Sequence, residues 1–135
     1  FISRGDDSGT HKMEVKLWDM SNFNPEKFGD WYKSVGAGMG ASLNISSSMG
    51  AYTLSDRASW LNFKNKSELA ILFADDKVLF NQYSFIPINP TRHKHVEYNL
   101  AKELENWLSS DTAKFLINGY EIDGQSLFKF NAKQK

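Results

Sequence analysis

Apolar and polar positions alternate along this chain in a way that predicts short strands and helices in turn. From His11 to Met20, Met13, Leu17 and Met20 recur at helical spacing, flanked by Val15 and Trp18, and Asn22 to Pro25 end that helix. Phe28 to Val35 fits either a strand or a helix. Gly36-Ala37-Gly38-Met39-Gly40 is a flexible turn feeding a short helix over 41–48. Ala51 to Leu54 predicts a strand, and Asp56 starts another short helix through Trp60, Leu61 and Phe63. Leu69 to Phe73 is a compact apolar run and predicts a buried strand. Val78 to Ile88, rich in β-branched and aromatic residues, predicts a long strand stopped by Pro87 and Pro90. Val96, Leu100, Leu104 and Leu108 share one helical face, joined by Trp107. Ser110-Asp111 caps a last helix through Ile117, stopped near Gly119. The tail carries Leu127, Phe128 and Phe130, then a basic, loose end. Alternating strands and helices predict an α/β fold.

The densest chemistry lies in Phe1-Ile2-Ser3-Arg4-Gly5-Asp6-Asp7-Ser8-Gly9-Thr10. An apolar start, a fixed cation and a small polar turn precede a helix. The first N–H groups of a helix have no intrahelical partner, and the dipole there is positive. An oxyanion satisfies both deficits. Ser8 and Thr10 add hydroxyl donors, Gly9 admits close backbone approach, and Arg4 offers a permanently charged fork of donors. The competing structural reading makes Asp7 or Ser8 an ordinary N-cap and pairs Arg4 with Asp6 or Asp7. Gly38 to Gly40 lacks the dinucleotide spacing and reads instead as a turn facing a cleft. Tyr52 and Thr53 sit where a strand meets a helix start and are further cleft candidates. Ser55 or Asp56 there reads better as a cap, and Arg57 as a surface ion pair.

Other motifs carry less. Arg4-Gly5-Asp6 matches an adhesion tripeptide by chance. His93-Lys94-His95 lacks a carboxylate pair and predicts solvated loop residues, so no metal site is expected. His11 has no nucleophile partner, and no catalytic dyad emerges, so no enzyme is expected. An enzyme acting on an oxyanion-bearing substrate remains an alternative.

The chain has 135 residues, which predicts one domain able to bury roughly two-thirds of its unfolded surface. Hydrophobic residues make up 41%, which excludes compositional disorder. Lys plus Arg and Asp plus Glu are 16 each, so no basic field is available to grip nucleic acid or an anionic membrane. No cysteine is present, which removes disulfides and thiolate sites. The chain opens within a strand pattern and not on Met, which predicts a processed chain or a fragment.

Ser3 to His11, Gly38-Met39-Gly40-Ala41, Ala51 to Arg57 and Ile88-Asn89-Pro90 occur in an order that resembles the tungstate-binding proteins of bacterial ABC importers. These are extracytoplasmic solute-binding proteins of the two-lobed, type II periplasmic-binding fold. The resemblance spans nearly the whole chain and implies the C-terminal half of a family member. It implies a near-complete second lobe over 1–83, and over 84–135 a crossover strand and helices that pack on the other lobe. It carries oxyanion contacts to Arg4 and Thr10; Ser8 and Gly9 extend them by the helix-terminus argument. It implies a tungstate or molybdate ligand without any cofactor, a membrane permease as partner, a periplasmic or cell-surface location, and association of the unpartnered C-terminal helices.

Phosphate-binding proteins share the pattern Arg4, Asp6, Ser8, Gly9, Thr10. Hydrogen phosphate carries a proton and rewards a carboxylate acceptor; tungstate and molybdate are repelled by a bare one. Asp6 facing the ligand favours phosphate, and Asp6 paired with Arg4 favours the metal oxyanions. A ligand-sensing domain of an oxyanion-responsive regulator is the remaining alternative.

Overall fold

A computed structural model describes residues 1–132. The basic end expected to be loose, from Lys133 on, lies outside the described residues. The chain divides into two compact units, Phe1–Phe80 and Asn81–Lys135.

In the first unit, β1 (Ile2–Ser3) pairs in parallel with β2 (Lys33–Ser34), in the register Ile2 to Lys33 and Ser3 to Ser34. Thr53 bridges Ile2 in parallel. The Ile2 N–H donates to the Tyr52 carbonyl at 2.8 Å, and the Lys33 N–H to the Phe1 carbonyl at 2.9 Å. β1 is therefore central. Helices α1 (Gly9–Met20), α2 (Met39–Met49) and α3 (Arg57–Asn62) follow the three pairing segments in turn. Short 3₁₀ turns at Pro25–Lys27 and Gly29–Trp31 resolve the ambiguous stretch before β2. Ile2, Met39, Leu43 and Leu61 form the buried core.

Helix α1 corrects one expectation. Met20 is exposed, and the buried residue is Glu14. Its Oε1 accepts the Tyr32 hydroxyl at 2.7 Å and the Trp18 indole N–H at 3.1 Å. A carboxylate is tolerated inside because hydrogen bonds replace its water. Phe1, Trp18, Phe28 and Trp31 pack on one another nearby, with ring centroids 4.5–6.1 Å apart in the contacting pairs. Burial, reinforced by Glu14, pushes the Tyr32 hydroxyl up to about 12.

The expected strands at 51–54, 69–73 and 78–88 are a second correction. Only Thr53 of the first makes a bridge. Ile71, Leu72 and Phe73 are exposed, and 78–88 holds no strand beyond the end of a 3₁₀ turn, Lys77–Leu79. A strand persists only where a neighbour completes its ladder. Among the described residues no segment pairs with 69–88.

The second unit holds α4 (Tyr98–Leu108), α5 (Asp111–Asn118) and the antiparallel hairpin β3 (Glu121–Ile122) and β4 (Gln125–Ser126). Ser110 caps α5 by accepting the Ala113 N–H at 3.2 Å. Ala113 is buried, whereas Leu100, Leu104 and Trp107 of the predicted apolar face are exposed.

Candidate functional site

The three parallel segments end at one edge of the small sheet. From it run the loops 4–8, 35–38 and 54–56. Connections from a central strand and its neighbours diverge there, which is where open α/β sheets place ligands.

Loop 4–8 is held by its own sequence. Gly5 has φ +59° and Asp7 φ +57°. A Cβ on Gly5 would stand 1.7 Å from Ser34 Oγ, so β2 packs where only glycine fits. The Arg4 carbonyl accepts the Ala37 N–H at 3.2 Å, and the Ser3 carbonyl the Val35 N–H at 2.9 Å. These bonds bring the glycine-rich turn beside Arg4.

Asp6 faces inward along the loop. Its Oδ2 accepts the Arg4 Nε–H at 3.1 Å and a second bond from Nη2. Its Oδ1 accepts the Ser8 N–H at 3.2 Å. The bonds to Ser8 lead, and the Arg4 guanidinium adds to them, holding the Asp6 carboxyl at about 2 against the opposing cost of partial burial. Arg4 and Asp6 side chains are both 18% exposed, so the guanidinium is fixed yet reachable. Of the two pairings open to Arg4 in the sequence, the structure makes the one with Asp6. Asp7 instead meets Lys12 at 3.4 Å in solvent.

Ser8 is the N-cap of α1. Its Oγ accepts the His11 N–H at 3.3 Å. The hydroxyl proton remains available for donation. Gly9 and Thr10 open the helix, so their N–H groups lack intrahelical acceptors. Cap and anion site are thus compatible. Arg4, Ser8, Gly9 and Thr10 lie on one seven-residue stretch that carries a cation, free amides and hydroxyls, the donor types an oxyanion needs.

The other candidates divide. Gly38 is the N-cap of α2 and makes no side-chain cap bond; Gly40 is exposed. Met39 is buried in the core, because the first turn of α2 packs it inward. Tyr52 is exposed and contributes its carbonyl to β1. Thr53 Oγ1 donates to the Ile2 carbonyl at 2.8 Å, which occupies its one proton. Thr53 also lines a cavity of about 210 Å³ with Phe1, Glu14, Trp18 and Leu54. Asp56 caps α3 at the Ser59 N–H, 2.9 Å, and Arg57 pairs with Asp75 at the surface. His93 and His95 are exposed with ring centroids 6.1 Å apart, and among the described residues no metal-ligating cluster is found.

Sequence reasoning passed over Glu14 and Tyr32, which support the sheet beneath this edge. The only signal was Glu14 four residues before Trp18, on one helical face.

A family model, the PBP superfamily domain, matches residues 1–112. The chain belongs to the PBP superfamily. Within that superfamily it is 46% identical over 134 residues to the tungstate-binding protein TupA of Peptoclostridium acidaminophilum, covering 98% of this chain and 46% of that one. The solved structure of the tungstate-binding protein TupA from Desulfovibrio alaskensis superposes with a TM-score of 0.81 at 39% identity, covering 98% of this chain and 55% of that one. The solved structure of the tungstate ABC transporter from Geobacter sulfurreducens superposes with a TM-score of 0.72 at 38% identity, covering 89% of this chain and 50% of that one. The chain spans about half the length of the curated relatives it matches. Its mixed α/β architecture is that of the PBP superfamily. Among the described residues no helix is long and apolar enough to cross a membrane.

Proposed function

We propose that this chain belongs to the extracytoplasmic substrate-binding component of an ABC importer and contributes the Arg4–Thr10 contacts to a site for a tetrahedral metal oxyanion, tungstate or molybdate. The observation that carries this reading is the engagement of Asp6. Both carboxylate oxygens are bonded, to Arg4 and to the Ser8 N–H. Three bonds engage both oxygens of this carboxylate, and its charge is balanced by the guanidinium. A fully deprotonated dianion therefore meets a neutralised carboxylate beside a set of donors: Arg4, the Gly9 and Thr10 N–H groups and the Ser8 and Thr10 hydroxyls. Each charge-assisted bond contributes on the order of 1.5–3 kcal/mol. The relatives described as tungstate-binding proteins support the same ligand. The Asp6 geometry weighs against the phosphate-binding alternative.

In this reading residues 1–83 form the second lobe of the solute-binding fold, and 84–135 supply the crossover and helices that pack on the first. The remaining length of the relatives provides the opposite wall of the cleft and the pairing partners that 69–88 lacks. The lobes close over the anion and present it to a membrane permease. No bond is made or broken, and no cofactor or nucleic acid takes part.

The test is Arg4→Ala in a chimaera carrying the first half of the Peptoclostridium acidaminophilum relative ahead of this chain. Loss of the heat of tungstate binding with an unchanged circular dichroism spectrum supports the assignment. Unchanged affinity refutes it.

A further inference from the structure

The reading above leaves His11 without a role, yet its ring is engaged. The Asp7 backbone N–H donates to His11 Nδ1 at 3.0 Å. A backbone N–H can only donate, so Nδ1 carries no proton and the ring is the neutral Nε2–H tautomer. The bond closes a loop from the third residue of α1 back to the residue before its N-cap. Asp7 is the residue with φ +57°, a conformation an L side chain adopts reluctantly. The residues on each side of it, Asp6 and Ser8, are tied by the Asp6 Oδ1 bond to the Ser8 N–H. The His11 N–H in turn goes to Ser8 Oγ. His11 thus grips the turn twice, through its amide at Ser8 and through its ring at Asp7. Gly9 and Thr10, whose free N–H groups point from this turn, have no such tether of their own.

We propose that His11 is a positioning residue for the oxyanion loop: its neutral Nδ1 holds Asp7 in the left-handed turn and so sets the direction of the Ser8, Gly9 and Thr10 donors. It does not touch the anion. Its effect on ligand affinity rests on the oxyanion reading; its effect on Asp7 does not.

The role is tested on the full chain with His11→Ala and His11→Asn. Asn places Oδ1 at the position of Nδ1, accepts a backbone N–H, and carries no ring. In the unliganded protein, multiple-bond proton–nitrogen correlation of the His11 ring shows the Nε2–H tautomer. Amide exchange at Asp7 accelerates about tenfold in His11→Ala and returns to within about twofold of the parent in His11→Asn, as expected for loss and restoration of one hydrogen bond. Tungstate titrated into the chimaera carrying the same substitutions binds about three- to tenfold more weakly to His11→Ala than to the parent and recovers in His11→Asn. A ring protonated at Nδ1, or Asp7 exchange unaltered by His11→Ala, overturns the proposal. Weaker binding that His11→Asn fails to recover also overturns it, since the ring would then act by bulk. If none of the three chimaeras responds to tungstate, the oxyanion reading fails, and the Asp7 exchange decides the role of His11 by itself.

Discussion

Gly5→Ala probes the packing that fixes the loop at 4–8. Two costs add. A Cβ-bearing residue at φ +59° costs about 1–2 kcal/mol relative to glycine. The new methyl also lies 1.7 Å from Ser34 Oγ and 3.0 Å from Ser34 Cβ. Ser34 is exposed, so its hydroxyl can rotate away, but the Cβ contact remains and adds on the order of 1 kcal/mol. The expected loss is about 2–3 kcal/mol. Urea unfolding followed by tryptophan fluorescence measures it. A Trp107→Phe background confines the reporters to Trp18, Trp31 and Trp60 in the first unit. Ser34→Ala added to Gly5→Ala removes the closest atom and recovers part of the loss, leaving the backbone cost. Gly9→Ala is the control, because φ there is not positive and no atom lies within 4 Å of its Cβ; its midpoint moves by less than the equivalent of about 0.5 kcal/mol. A Gly5→Ala protein as stable as the control refutes the packing argument.

Two predictions concern pH. The Asp6 carboxyl is held at about 2, below its ordinary 3.8, so its contribution to stability is complete above the ordinary value and is lost as pH falls towards about 2. The stability difference between the parent and Asp6→Asn therefore shrinks between about pH 4 and pH 2; a carboxyl carbon resonance titrating near its ordinary value contradicts this. Tyr32 is pushed up to about 12, so its neutral hydroxyl stabilises the fold below its ordinary value of 10 and the stability is lost as pH rises from there towards 12. Ultraviolet absorbance in an alkaline titration should show one tyrosine ionising late, and Tyr32→Phe should remove that step.

The helices were legible because their signals are local. Ser8, Asp56 and Ser110 are side chains that cap the helix beginning immediately after them, and Gly36 to Gly40 breaks the chain before α2. The central position of β1 was not legible, since it depends on bonds from Ile2 to Tyr52 across fifty residues. The strand patterns at 69–73 and 78–88 are strong, but a strand is a property of two segments, and no described segment pairs with them. Glu14 was hidden for another reason: a carboxylate on an amphipathic helix reads as solvated until Tyr32 and Trp18 are seen to satisfy it. At the site, residue types suggested Arg4, Ser8, Gly9 and Thr10, and two alternatives for Asp6. Only the geometry turned Asp6 towards Arg4. The hydroxyl of Thr53 looked equally available in sequence and is occupied by the Ile2 carbonyl.

The central claim is that the Arg4–Thr10 loop serves a fully deprotonated metal oxyanion. Calorimetric titration of tungstate, molybdate, sulfate and phosphate into the chimaera tests it most directly. The account predicts strong heat with tungstate or molybdate and little with phosphate. Phosphate binding more tightly than either metal oxyanion would contradict it, because Asp6, whose charge Arg4 balances, would then serve as the acceptor for the proton of the ligand.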